Sequence, residues 1–93
     1  MENFRLGRIV QTRGIAETSS KNMFFLLAIN QALEDYRHCN WGATCASDSK
    51  LNDEAVRKGN DRILARYKTN EGDIFICTEW DRSYTTIMYC DEY

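Results

Sequence analysis

The chain has 93 residues, enough for one domain with one modest core: at this size roughly 60 to 68% of the surface exposed by the unfolded form is buried, and two cores do not fit. Residues are 43% hydrophobic and 12% aromatic with no proline, which sets the chain apart from disordered sequences. Twelve Lys and Arg against fourteen Asp and Glu give a net charge of -2, which offers neither the basic footprint of a nucleic-acid binder nor the dense acidity of a DNA mimic.

Residues 4–12 alternate in part, with Phe4, Leu6 and then Ile9 and Val10, bounded by Gly7 and Gly14, and predict a short strand interrupted by a bulge. A helical turn over 15–18 is expected next, with Ser19 and Ser20 as N-caps for the clearest helix of the chain, 21–36. There Phe25 or Leu26, Ile29, Ala32 or Leu33 and Tyr36 recur at helical spacing. Met23, Phe24 and Leu27 widen that stripe, so the helix is expected to pack on a sheet with further neighbours along its flank. Residues 38–47, HCNWGATCAS, have neither helical nor strand period and predict a structured loop.

A second helix is expected from Ser47 or Asp48 to about Gly59, with Leu51, Ala55 and Val56 on its inner face and Arg57 and Lys58 near its C-terminal dipole. From Asp61 the period changes to two. Ile63, Ala65 and Tyr67 oppose Leu64, Arg66 and Lys68, TNEGD supplies a turn, and 73–78 completes a hairpin. After a second connection at 79–84, TTIMYC over 85–90 makes the last strand. The expected fold is one α+β domain over residues 1–93, its helices on one face of a mostly antiparallel sheet of about four strands.

The first ten residues show no signal-peptide pattern, and the longest apolar run, 23–29, is far below the roughly 20 residues of a membrane span, so a cytoplasmic address and no membrane partner are expected. In that compartment Cys39, Cys45, Cys77 and Cys90 are read as reduced thiols or metal ligands. His38, Cys39 and Cys45 fall close together on the loop and offer an imidazole and two thiolates to zinc, with Cys77, Cys90, Asp48 or Asp53 available as a fourth ligand. Against this, no CxxC pair exists; Cys77 and Cys90 serve equally as small buried hydrophobes, and His38 equally as the end of the long helix. Zinc is therefore an optional cofactor and none is required. With one histidine and no GxSxG, HExxH or phosphate-loop motif, the chain reads as a non-enzyme.

Trp80, Arg82 and Tyr84 lie together in the last connection, the composition of an interaction hot spot; the alternative is that Trp80 folds onto the sheet and Arg82 clamps the turn. Trp41 presents the same choice. Three arginines near the amino end, Arg5, Arg8 and Arg13, are too few for a phosphate track.

Across nearly its whole length the chain resembles a family of small proteins carried by plasmids, conjugative elements and prophages of Gram-positive bacteria. The resemblance rests on the start MENFRLGRIVQTRGIAE, on NWG followed by SDSKLNDEAVRKGNDRILARY, and on the end TEWDRSYTTIMYCDEY. The ending departs from the Pro-Glu-Glu-Tyr-like close of many relatives, since Cys90, Asp91, Glu92 and Tyr93 stand there. Its length leaves no room for the cofactor and target domains of a restriction-modification subunit. The mobile-element context implies an anti-defence protein similar in kind to the anti-CRISPR proteins, one that binds a host type II CRISPR effector nuclease and blocks guide or target-DNA loading without reading a nucleic-acid sequence itself. On that reading the partner contacts are Trp80, Arg82, Tyr84, Asp91, Glu92 and Tyr93. The alternatives are a regulatory interaction domain for mobile-element maintenance and, third, a small metal-dependent enzyme.

Overall fold

The computed structural model describes residues 3–93. In chain order they form β1 (Arg8–Gln11), α1 (Arg13–Lys21), α2 (Met23–Arg37), α3 (Ala46–Lys58), β2 (Ile63–Tyr67), β3 (Ile74–Thr78) and β4 (Tyr84–Tyr89), closing on a 3-10 turn at Cys90–Glu92. The strands make one sheet in the order β1-β4-β3-β2, with β1 parallel to β4 and the other two pairings antiparallel. The expected α+β architecture is what the chain adopts.

The differences from expectation have local causes. The first strand is shorter than 4–12 because Gly7 takes φ 65 and turns the chain; Leu6 before it is buried in the core. The expected turn at 15–18 is a full helix, begun by Thr12, whose hydroxyl accepts from the Ile15 amide, and it runs through Ser19 and Ser20. Asn22 separates it from α2 by taking extended backbone and capping the Phe25 amide at 3.1 Å, the role expected of the serines. Helix α3 starts slightly before Ser47 and closes at Gly59. Its Leu51, expected inside, is 61% exposed, and Asn52 is buried in its place.

Period-two alternation puts Ile63, Ala65, Tyr67, Ile74, Ile76, Thr78, Thr85 and Ile87 on one sheet face, all of them buried. Helix α2 lays Phe25, Ile29, Ala32 and Tyr36 against that face, and Ile15 of α1 and Ala55 of α3 join the same core. Trp41 belongs to it as well: its ring meets Tyr36 edge-on at 5.5 Å and its indole N–H donates to Asp53 at 2.8 Å. Met23, Phe24 and Leu27 do not widen the buried stripe and stay exposed.

Within this apolar layer runs a chain of hydroxyls. The Thr85 hydroxyl donates to the Leu6 carbonyl at 2.7 Å, Thr78 lies 2.8 Å from Thr85, and the Tyr36 phenol lies 2.7 Å from Thr78 and 3.2 Å from the Ile63 carbonyl. Because Thr85 gives its proton to Leu6, Thr78 must donate to Thr85, and Tyr36 to Thr78, with Ile63 as a longer second acceptor. Three protons serve a fully buried path from α2 to the segment before β1.

The β2 edge is closed. The Asn52 side chain donates to the Leu64 carbonyl at 2.9 Å and accepts from the Leu64 amide at 3.2 Å, as a neighbouring peptide group would. At Arg66 the amide donates to the Thr44 hydroxyl and the carbonyl accepts from the Ala43 amide, each at 2.8 Å. No outward backbone group of Leu64 or Arg66 is left to another strand. This explains why a polar residue is buried on the inner face of α3.

Burial raises the Tyr36 phenol well above the ordinary tyrosine range, and Tyr67 shifts in the same direction for the same first cause. The folded state therefore holds these protons more tightly than the unfolded chain, so their contribution is complete below about pH 10 and is lost as pH rises beyond it. Tyr36→Phe should lower stability at neutral pH by about 1 to 3 kcal/mol by removing the donor to Thr78, and should make the alkaline decline shallower. Urea melts at neutral pH and above pH 10, for both proteins, check both expectations.

Candidate functional site

The β3–β4 connection is held from three directions. Arg82 takes the left-handed conformation at φ 61 and its amide donates to the Glu79 carbonyl at 2.9 Å, while the Glu79 amide donates to the Tyr84 carbonyl at 3.1 Å. The Asp81 carboxylate accepts from the Ser83 amide at 3.0 Å and hydroxyl at 2.6 Å, and these bonds hold it below the usual carboxylate range. The Arg82 guanidinium reaches four carbonyls: Asp61 at 2.6 Å, Ala55 at 2.9 Å, Glu79 at 3.1 Å and Trp80 at 3.3 Å. One side chain thus ties the turn to the C-terminal end of α3, where the Ala55 carbonyl also accepts the Gly59 amide at 2.8 Å and the helix dipole favours a cation.

The third restraint comes from the amino end. The Arg8 amide donates to the Ser83 carbonyl at 3.1 Å, and a Cβ on Gly7 would stand 2.3 Å from the Arg82 carbonyl oxygen. Only glycine fits so close an approach at positive φ. Trp80, carried on this fixed turn, is 65% exposed, and Tyr84 beside it is 42% exposed.

The remaining expected contacts divide. Tyr93 is exposed, yet its ring lies against Phe75 at 5.5 Å and under the Arg62 guanidinium at 5.4 Å, on the sheet face opposite the helices. Asp91 is exposed. Glu92 is engaged within the chain. Its Oε1 accepts from the Thr12 hydroxyl at 2.8 Å and from the Tyr89 amide at 2.7 Å, latching the carboxyl end to the start of α1. Trp80 and Tyr84 both stay exposed where the β3–β4 turn meets β4; Arg82 and Glu92 hold the backbone around them and at the carboxyl end. The clamp role of Arg82 was legible as an alternative, but its partners are backbone carbonyls, two in the turn itself and two in the distant segment at Ala55 and Asp61, and could not be read from neighbouring charges.

His38, Cys39 and Cys45 are not assembled. Among the described residues no group of three or more His, Cys, Asp or Glu is placed to hold a metal ion. His38 caps α2, its Nδ1 lying 2.9 Å from the Glu34 carbonyl and 3.6 Å from the Glu34 carboxylate. Cys45 stands at the start of α3 with its sulfur 3.5 Å from the Ser47 hydroxyl. Cys39 packs against the core, and burial, reinforced by Asp53, pushes its thiol up and away from thiolate. All four cysteines are free thiols.

Sequence spacing gives no sign of an exposed apolar group on the outer side of α2, where Met23 and Phe24 are 74% and 77% exposed. Neither belongs to the helical repeat of Phe25, Ile29, Ala32 and Tyr36 that faces the core. No helix among the described residues is long and apolar enough to cross a membrane. Comparison with protein-family models, with curated proteins and with solved structures found no match for this chain.

Arg82→Ala should lower stability by about 1 to 3 kcal/mol, since it leaves partly buried carbonyls without their charged donor. The measurement is a denaturant melt together with amide exchange, in which the Arg8 and Glu79 amides should exchange faster in the variant.

Proposed function

We propose that this protein is a stoichiometric binding protein of the anti-defence kind, acting in the cytoplasm as an inhibitor of a type II RNA-guided DNA nuclease by occupying the surface that receives guide or target DNA. The target class comes from the resemblance to mobile-element proteins. The observation that carries the binding mode is Trp80: a large aromatic, 65% exposed, on a turn whose backbone is held by Arg82, Asp81 and the approach of Gly7. An exposed aromatic on mobile backbone loses entropy when it docks; one on fixed backbone has less to lose, which is why aromatic anchors on rigid supports dominate binding energy.

Tyr84, exposed at the start of β4 just after the turn, can extend the anchor, and Tyr93 against Phe75 and exposed Asp91 are further contact candidates. A domain of this size can present the roughly 800 Å² per partner of a standard interface. Its near-neutral charge suits a protein surface better than it suits imitation of duplex DNA.

Trp80→Ala should retain the wild-type melting temperature and weaken the complex at least tenfold, about 1.4 kcal/mol or more. DNA-cleavage assays with a purified type II effector, titrated with wild-type and variant protein, provide the test. Wild-type protein that leaves cleavage unchanged at saturating excess rejects the target, and equal inhibition by the variant rejects the anchor.

A further inference from the structure

We infer that this protein pairs with a second copy of itself through the outer edge of β1, joining two four-stranded sheets into one of eight strands. The two edges of the sheet are treated differently. At β2 every outward amide and carbonyl of Leu64 and Arg66 has an internal partner. At β1 the amides of Arg8 and Thr12 donate to Ser83, just before β4, and to Ile87 within it, so in this parallel ladder the backbone groups of Ile9 and Gln11 point away from the sheet. Both residues are exposed, neither has a hydrogen-bond partner among the described residues, and no proline, bulge or covering side chain blocks the approach.

The strand selects its own register. Antiparallel pairing joins outward groups only to outward groups, so an odd-numbered residue of one copy must face an odd-numbered residue of the other. Centring on Val10 pairs Ile9 with Gln11 of the second copy and Gln11 with its Ile9, giving four backbone hydrogen bonds on both available residues of each chain. Centring on Ile9 would set Gln11 against Gly7, which has already left the strand at φ 65, and centring on Gln11 would set Ile9 against Arg13, which is helical.

Charge complementarity selects the same occupant. In the Val10-centred register Arg8 lies opposite Thr12 of the second copy, and the Thr12 hydroxyl is bonded to the Glu92 carboxylate at 2.8 Å. Arg8 is exposed and has no ion pair among the described residues, so each copy brings a free guanidinium to the carboxylate of the other, twice by symmetry. No like charges are set directly opposite, because Arg13 would meet Gly7 and is paired to Glu17 at 3.1 Å within its own helix.

Sedimentation of the full chain across a concentration series tests this, with amide exchange on the same samples. The expected result is a mass rising to twice that of the chain, with Ile9 and Gln11 amides protected as it does so. Ile9→Pro removes one outward donor and should abolish the doubling; Arg8→Glu, which turns two attractions into repulsions without touching the core, should weaken dimerisation at least tenfold, with a melting temperature unchanged at concentrations where both proteins are monomers. Oxidised V10C in a C45S background should crosslink two chains through the introduced thiols, since Val10 would face its symmetry mate. A monomer at every concentration overturns the proposal, as does a dimer indifferent to Arg8→Glu or one in which V10C fails to crosslink. Protection of Ile9 and Gln11 seen only when a foreign protein is bound overturns it too, and gives the edge to that partner's strand.

Discussion

Between the long helix and the sheet, three buried hydroxyls pass hydrogen bonds in one direction, from Tyr36 to Thr78, from Thr78 to Thr85, and from Thr85 to the carbonyl of Leu6. Each link has one proton to give, so the order of donation is set by the last acceptor. Moving α2 along the sheet by a turn would leave these groups buried without partners, and an unpaired buried polar group costs more than a hydrogen bond contributes. The apolar layer around them would tolerate several helix positions; the hydroxyls tolerate one.

The same chain places the rest of the molecule. Once Thr85 holds the Leu6 carbonyl, Gly7 is set against the backbone of the β3–β4 turn, and Arg8 is delivered to Ser83 to begin the parallel strand. From the other side, Arg82 draws the turn onto the end of α3, and Asn52 of that helix closes the β2 edge. Hydrogen-bonded polar groups thus specify the arrangement of an otherwise generic core. They also decide where the surface is left unfinished: at Trp80, displayed on a fixed turn, and at β1, whose outward backbone groups meet nothing among the described residues. A molecule with one edge closed in full and the other bare is asymmetric in a way that composition does not reveal.

The sheet was legible because 63–68 alternates with period two, 73–78 and 85–90 are rich in β-branched and aromatic residues, and TNEGD and WDRS mark the turns, and α2 because its buried residues recur at helical spacing. Helix α1 was legible only as a turn, since RGIAETSSK has a single strongly apolar residue, Ile15, and serines that usually stop helices. Its existence depends on contacts far away in the chain, including Tyr89 bonded to Thr18 and Glu92 to Thr12. The exposed aromatics of the site were legible as residue types, while their separation into displayed and clamping members was not.

Fold class, helix and strand periods, and the set of residues able to make contacts all follow from local spacing and side-chain chemistry, and so are written in the order of the amino acids. Folding in three dimensions was needed to engage Arg82 and Glu92 with other segments of the chain while Trp80 and Tyr84 stay displayed, to keep His38, Cys39 and Cys45 apart, and to set β1 parallel at an open edge. A hydrogen-bond donor or acceptor is assigned by whichever partner the folded chain brings within reach. For Arg82 those partners lie at Ala55 and Asp61 as well as beside it, distances along the chain over which no periodicity carries information.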